Sequence, residues 1–156
     1  MASPEVIRMR RDLATPFGDP VWPQGVVLAP FHPRRARELH ALMALAYRDG
    51  AGFVDEFARW WPAISEDSDY DQDLCFLAVD ARDTLVGAVH CWESGFLKDL
   101  AVRPDSQRRG VGRALLLHLF GTLRARGVTS VELKVHADNP AGRGLYEQVG
   151  MTVVSE

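Results

Sequence analysis

The chain has 156 residues, 47% of them hydrophobic and 25% charged, with a formal net charge of −3. That length suits one domain, able to bury roughly 68–70% of its unfolded surface without disulfide or metal staples. The acidic balance argues against nucleic acid, which needs a dominant basic face, and no apolar run nears the ~20 residues of a membrane span.

Residues 1–24 carry Arg8, Arg10 and Arg11, then Pro16, Gly18, Pro20 and Pro23. This composition predicts an irregular N-terminal extension, followed by one domain over residues 25–156. The start shows no apolar signal segment, so a cytoplasmic location is expected. Residues 25–30 read as a short strand. Pro33 opens a helix over residues 34–47, with Ala36, Leu39, Leu42, Met43 and Ala46 as its buried stripe. Gly50 and Gly52 break it. A second helix spans residues 53–61 and stops at Pro62; Phe53, Phe57, Trp60 and Trp61 are spaced to pack.

Residues 66–73 hold five acids: Glu66, Asp67, Asp69, Asp71 and Asp73. The run reads as a solvated loop or as a gate that attracts a cationic substrate. Residues 74–80 and 85–93 then form an antiparallel hairpin, in which Gly87 marks a bend or a close backbone approach. Cys75 and Cys91 fall inside these apolar runs and read as buried hydrophobes. The histidines at 32, 40, 90, 118 and 136 show no zinc-ligand spacing with them, so no metal is expected.

The next stretch organises the chain. A strand over residues 96–102 is closed by Pro104, and a loop passes through Gln107-Arg108-Arg109-Gly110-Val111-Gly112. A helix follows, with Val111, Leu115, Leu116, Leu119, Phe120 and Leu123 on one apolar side and Gly127 as its left-handed cap. The two glycines allow a tight turn, and a helix start leaves about four N–H groups free, with roughly half a positive charge. Arg108, Arg109 and Arg113 add full charge at the same end. Together they describe a phosphate site; a solvated basic loop is the alternative. No Gly-Lys-Ser/Thr of a P-loop occurs, and the third glycine of a dinucleotide fingerprint is Leu115.

Residues 130–136 alternate cleanly: Val131, Leu133 and Val135 face one way, Glu132, Lys134 and His136 the other. Asn139 caps a last helix that begins at Pro140, buries Leu145, Tyr146 and Val149, and ends at Gly150. A short strand over residues 151–154 completes a mixed sheet covered by helices.

The loop matches Gln/Arg-x-x-Gly-x-Gly/Ala after a strand ending in an apolar-Ala-Val run. It resembles the acyl-CoA pyrophosphate loop of the GCN5-related N-acetyltransferase (GNAT) family. Asn139 and then Leu145-Tyr146-Glu147-Gln148-Val149-Gly150-Met151 resemble the family's following segment, with a glycine for the usual alanine and Met151 for phenylalanine. Together the two stretches cover residues 96–151. The resemblance implies an α/β GNAT fold: a mixed, mostly antiparallel sheet flanked by helices and splayed between the fourth and fifth strands. It implies acetyl-CoA as cosubstrate and a primary amine, of a small molecule or a peptide, as acceptor. Leu100, Ala101 and Val102 would meet the pantetheine arm. Gln107, Arg108, Arg109, Gly110, Val111, Gly112 and Arg113 would hold the pyrophosphate. Asn139 and Arg143 would meet the cofactor from the other side. Tyr146 would protonate the departing thiolate, and Asp99 or Glu93 would receive the amine. Where relatives run on to a final strand pair, one short strand remains here; a homodimer is the implied cover for the free sheet edge. The alternative is a GNAT-fold module that binds acyl-CoA as a sensor without turnover.

Overall fold

The computed structural model describes residues 5–47 and 54–154. Gly50, Gly52 and Phe53 lie outside them.

Val6–Asp12 forms strand β1, which corrects the reading of residues 1–24 as irregular. β1 runs antiparallel to strand β6, Ser130–His136, and also pairs with β7, Thr152–Val153. It therefore lies between β6 and β7 in a three-stranded sheet. Met9 is fully buried, while Arg8 and Arg10 reach across to Glu132 at 2.8 and 2.6 Å. Arg11 points inward. Its guanidinium donates to the carbonyls of Val149 (2.6 Å), Asp12 (2.8 Å), Thr15 (3.0 Å) and Pro16 (3.1 Å), and it stacks on Phe17 and Phe120. These partners satisfy a charge that burial would otherwise penalise.

The second sheet is fully antiparallel, in the order β2 (Val27–Pro30), β3 (Cys75–Val79), β4 (Leu85–Cys91), β5 (Leu97–Val102). One face carries α1, Ala36–Tyr47, and α2, Phe57–Ser65. α2 passes through Pro62 rather than stopping before it; Pro62 donates no N–H, but its carbonyl accepts Glu66 N–H at 3.0 Å. The other face carries α3, Val111–Ala125, whose apolar side is buried as the helical period predicts. A Cβ at Gly87 would meet Val111 Cγ1 at 2.8 Å, so this glycine lets α3 lie close on β4. α4, Pro140–Gln148, follows β6.

Among the described residues, the two sheets meet at one parallel bridge, Phe96 to Glu132, near the starts of β5 and β6. Beyond it the strands part, as the family resemblance implies for the fourth and fifth strands of the domain. β5 leads into α3 and β6 into α4, so both helix starts border the wedge between the strands.

Candidate active site

One wall of the wedge is the start of α3. Its N-cap is Gly110, at φ 95°, and neither a capping side chain nor an acid in the first turn serves it. The first backbone bond into the helix is Ala114 N–H to Gly110 O at 3.0 Å. The N–H groups ahead of it have no partner within the helix and share this end with the exposed side chains of Arg108, Arg109 and Arg113. Arg108 itself has φ 63°, the left-handed region that folds a loop back on itself. Gln107 Nε2 donates to Val102 O at 3.2 Å, and Arg109 to Gln24 O at 3.2 Å, fixing the loop to β5 and to the N-terminal segment. These donors and charges fit a pyrophosphate.

Gly112 also lets neighbouring elements pack closely. A Cβ there would meet Leu145 Cδ2 at 2.9 Å and the side chains of Val102 and Leu100 at 3.6 and 3.8 Å. It allows α3 to touch α4 and β5 at the mouth of the wedge. Asn139 Oδ1 accepts Gly142 N–H at 3.1 Å as the cap of α4, and Arg143 pairs with Glu147 at 2.9 Å on its exposed face.

A second group of polar side chains lies on the opposite face of the sheet from α3. The register Cys75↔His90 and His90↔Asp99 lines these three side chains in one row across β3, β4 and β5, on the face that carries α1. The register then shifts between His90 and Cys91, leaving Lys98 as an extra residue of β5. Lys98 Nζ lies 2.6 Å from Asp99 Oδ2, and the Tyr47 hydroxyl donates to Asp99 Oδ1 at 2.9 Å. Burial, then the charge of Asp99, push the Tyr146 phenol up to about 12. Burial and the same carboxylate raise Tyr47 well above the ordinary phenol range. Burial, then the nearby Lys98 charge, pull His90 down to about 4. Cys75, fully enclosed, is held well above the ordinary thiol range by burial. The register, the bulge and the hydrogen bonds thus gather Asp99, Tyr47, Lys98 and His90, while Tyr146 packs against the cluster on the α3 side and the Asp99 charge is one cause of its raised phenol.

Glu93 is not part of this group. It is exposed in the turn between β4 and β5, with its N–H on Asp69 O at 3.0 Å. The acidic run is engaged in local bonds: Asp67 accepts Asp69 N–H, Asp69 accepts Ser94 N–H, and Asp71 both accepts Asp73 N–H and pairs with Arg126 at 2.6 Å. It joins the β4–β5 turn to the end of α3 and takes the form of a structured loop. Among the described residues, no group of three or more His, Cys, Asp or Glu could hold a metal ion, and no helix is long and apolar enough to cross a membrane.

Tyr47 carries a partial sequence signal. It follows Leu39 and Met43 at helical spacing, so the period turns it inward, but nothing local marks its hydroxyl as a partner for Asp99. The Lys98–Asp99 contact depends on the bulge, which has no sequence signature here.

A wedge between parting strands, one helix start primed for anions and one tyrosine beside a carboxylate define an acyl-CoA transferase architecture. The acetyltransferase (GNAT) family model matches residues 30–151, and the chain belongs to that family. A mycothiol acetyltransferase of Thermobispora bispora is 36% identical over 160 residues, covering 93% of this chain and 52% of that protein. A [ribosomal protein bS18]-alanine N-acetyltransferase of Escherichia coli is 52% identical over 54 residues, 35% of this chain and 36% of that one. The crystal structure of a GCN5-related N-acetyltransferase from Sphaerobacter thermophilus superposes with TM-score 0.82 at 28% identity, covering 96% of this chain and 48% of that chain. The chain spans about half the length of the mycothiol acetyltransferases it matches.

Proposed function

We propose that this chain transfers an acetyl group from acetyl-CoA to a primary amine that arrives as an ammonium at Asp99. The observation that carries the reading is Asp99 itself: a largely buried carboxylate on β5, the strand that borders the wedge, bonded by the Tyr47 hydroxyl and already holding one ammonium group, that of Lys98. The loop of Gln107, Arg108, Arg109, Gly110, Val111, Gly112 and Arg113 would hold the pyrophosphate. The backbone of Leu100, Ala101 and Val102 would take the pantetheine arm, with Asn139 and Arg143 on the far side. Asp99 receives a proton from the acceptor, the neutral amine attacks the thioester carbonyl, and the Tyr146 hydroxyl protonates the departing thiolate. With its phenol pushed up to about 12, Tyr146 stays protonated across the neutral range and can act as that acid.

The occupied state of Asp99, with Lys98 on one oxygen and Tyr47 on the other, favours a second reading, a module that binds acyl-CoA without turnover. A thiol-release assay separates the two. Acetyl-CoA is offered with polyamines, amino acids, aminoglycosides, peptide amino termini and, from the relatives' names, a mycothiol-type amine and an N-terminal alanine peptide. Release dependent on one amine class supports the transferase. Tight CoA binding without release for any amine supports the module.

A further inference from the structure

We infer that Lys98 is a self-acetylation site, an internal amine acceptor built into the candidate active site. The inference rests on the acetyl-CoA reading above and adds a covalent modification to it. Lys98 Nζ sits 2.6 Å from Asp99 Oδ2 with its side chain only 28% exposed, so this amine is held where the external amine would be received. The bulge in β5 is what turns it there: without the register shift, Lys98 and Asp99 would point to opposite faces of the sheet. Tyr47 holds the second carboxylate oxygen, so the base stays in place as the lysine moves.

The reaction balances without a further reagent. The Lys98 ammonium gives one proton to Asp99, which passes it to solvent. Nζ then forms a bond to the acetyl carbon, the carbon–sulfur bond breaks, and the second proton ends on the CoA thiol by way of Tyr146. The products are Nε-acetyl-lysine and free CoA. The modification removes a positive charge from beside Asp99 and leaves that carboxylate to the Tyr47 hydroxyl.

The chain carries its own control. Lys134 is its other lysine, exposed on β6 and away from Asp99, so unassisted chemical acetylation would mark Lys134 at least as readily. The full chain is incubated with acetyl-CoA and no acceptor, weighed intact by mass spectrometry and mapped by peptide digestion; CoA affinity is measured by calorimetry on the same preparation. The expected result is one acetyl group per chain, on Lys98 and not on Lys134. Lys98→Arg should remove the label and keep CoA affinity within about twofold. Asp99→Asn should slow labelling at least tenfold. Labelling of Lys134 with Lys98 unmodified, or a labelling rate indifferent to Asp99→Asn, overturns the inference. CoA binding with Lys98 unmodified overturns it and leaves the transferase reading standing, whereas failure to bind CoA overturns both.

Discussion

The Tyr47 hydroxyl donates to Asp99 Oδ1 at 2.9 Å, tying the end of α1 to the bulge in β5. This bond fixes the rotamer of the carboxylate proposed to receive the acceptor. Hydrogen bonds to charged groups contribute about 1.5–3 kcal/mol. Tyr47→Phe keeps the ring and its packing. It should lower kcat/KM for the amine by about tenfold or more and leave the KM for acetyl-CoA within about twofold. Initial rates with each substrate varied in turn decide this. A loss shared equally by both KM values would mark Tyr47 as a support for the fold alone.

Tyr146→Phe should lower kcat at least tenfold, the lower part of the range for general acids. The pH profile adds an independent check. A phenol at about 12 keeps its proton where an ordinary one near 10 would be half ionised, so wild-type kcat should hold through pH 10. A basic limb centred near 10 would contradict the environment assigned to Tyr146.

His90 is buried and held near 4, below the ordinary value of about 6.5. Its neutral form is favoured by folding, so the unfolded chain takes up a proton first as pH falls. Stability should therefore decline between pH 6.5 and 4, by on the order of 2–3 kcal/mol from this one residue, and level off below. His90→Phe removes the titration. Urea unfolding from pH 4 to 7 should show a flatter profile for the variant, and parallel profiles would refute the linkage.

Met9 tests β1. It is fully buried between sheet and helix, so Met9→Ala should cost about 2–5 kcal/mol by large-to-small replacement in a core. Thermal unfolding of the variant at neutral pH measures it. An irregular, detached extension would tolerate the change with no shift in Tm.

Much of the domain was legible because its elements are periodic. The stripe of α3 from Val111 to Leu123, the alternation of β6 and the Asn139-Pro140 start of α4 all appear where the pattern puts them. β1 was illegible for a physical reason. Arg8, Arg10 and Arg11 resemble a solvated basic segment, whereas two of them pair with Glu132 and the third is buried on four carbonyls. Those partners lie far along the chain or on the backbone, where local pattern carries no trace of them. Gly112 is legible as part of the loop, but its close approach to Leu145 is not, since that depends on how α4 docks. Asp99 was visible as a candidate, but Tyr47 and Lys98 reach it through a helix end and a bulge.

The central claim is that the start of α3 holds the pyrophosphate of CoA. Calorimetric titration of CoA into the wild-type chain and into an Arg108→Gln, Arg109→Gln, Arg113→Gln variant tests it most directly. All three side chains are exposed, so the variant should keep the wild-type melting temperature. The account predicts one CoA per wild-type chain and affinity at least tenfold weaker in the variant, a loss of about 1.4 kcal/mol or more. Absence of CoA binding, or equal affinity in the two folded proteins, would contradict it.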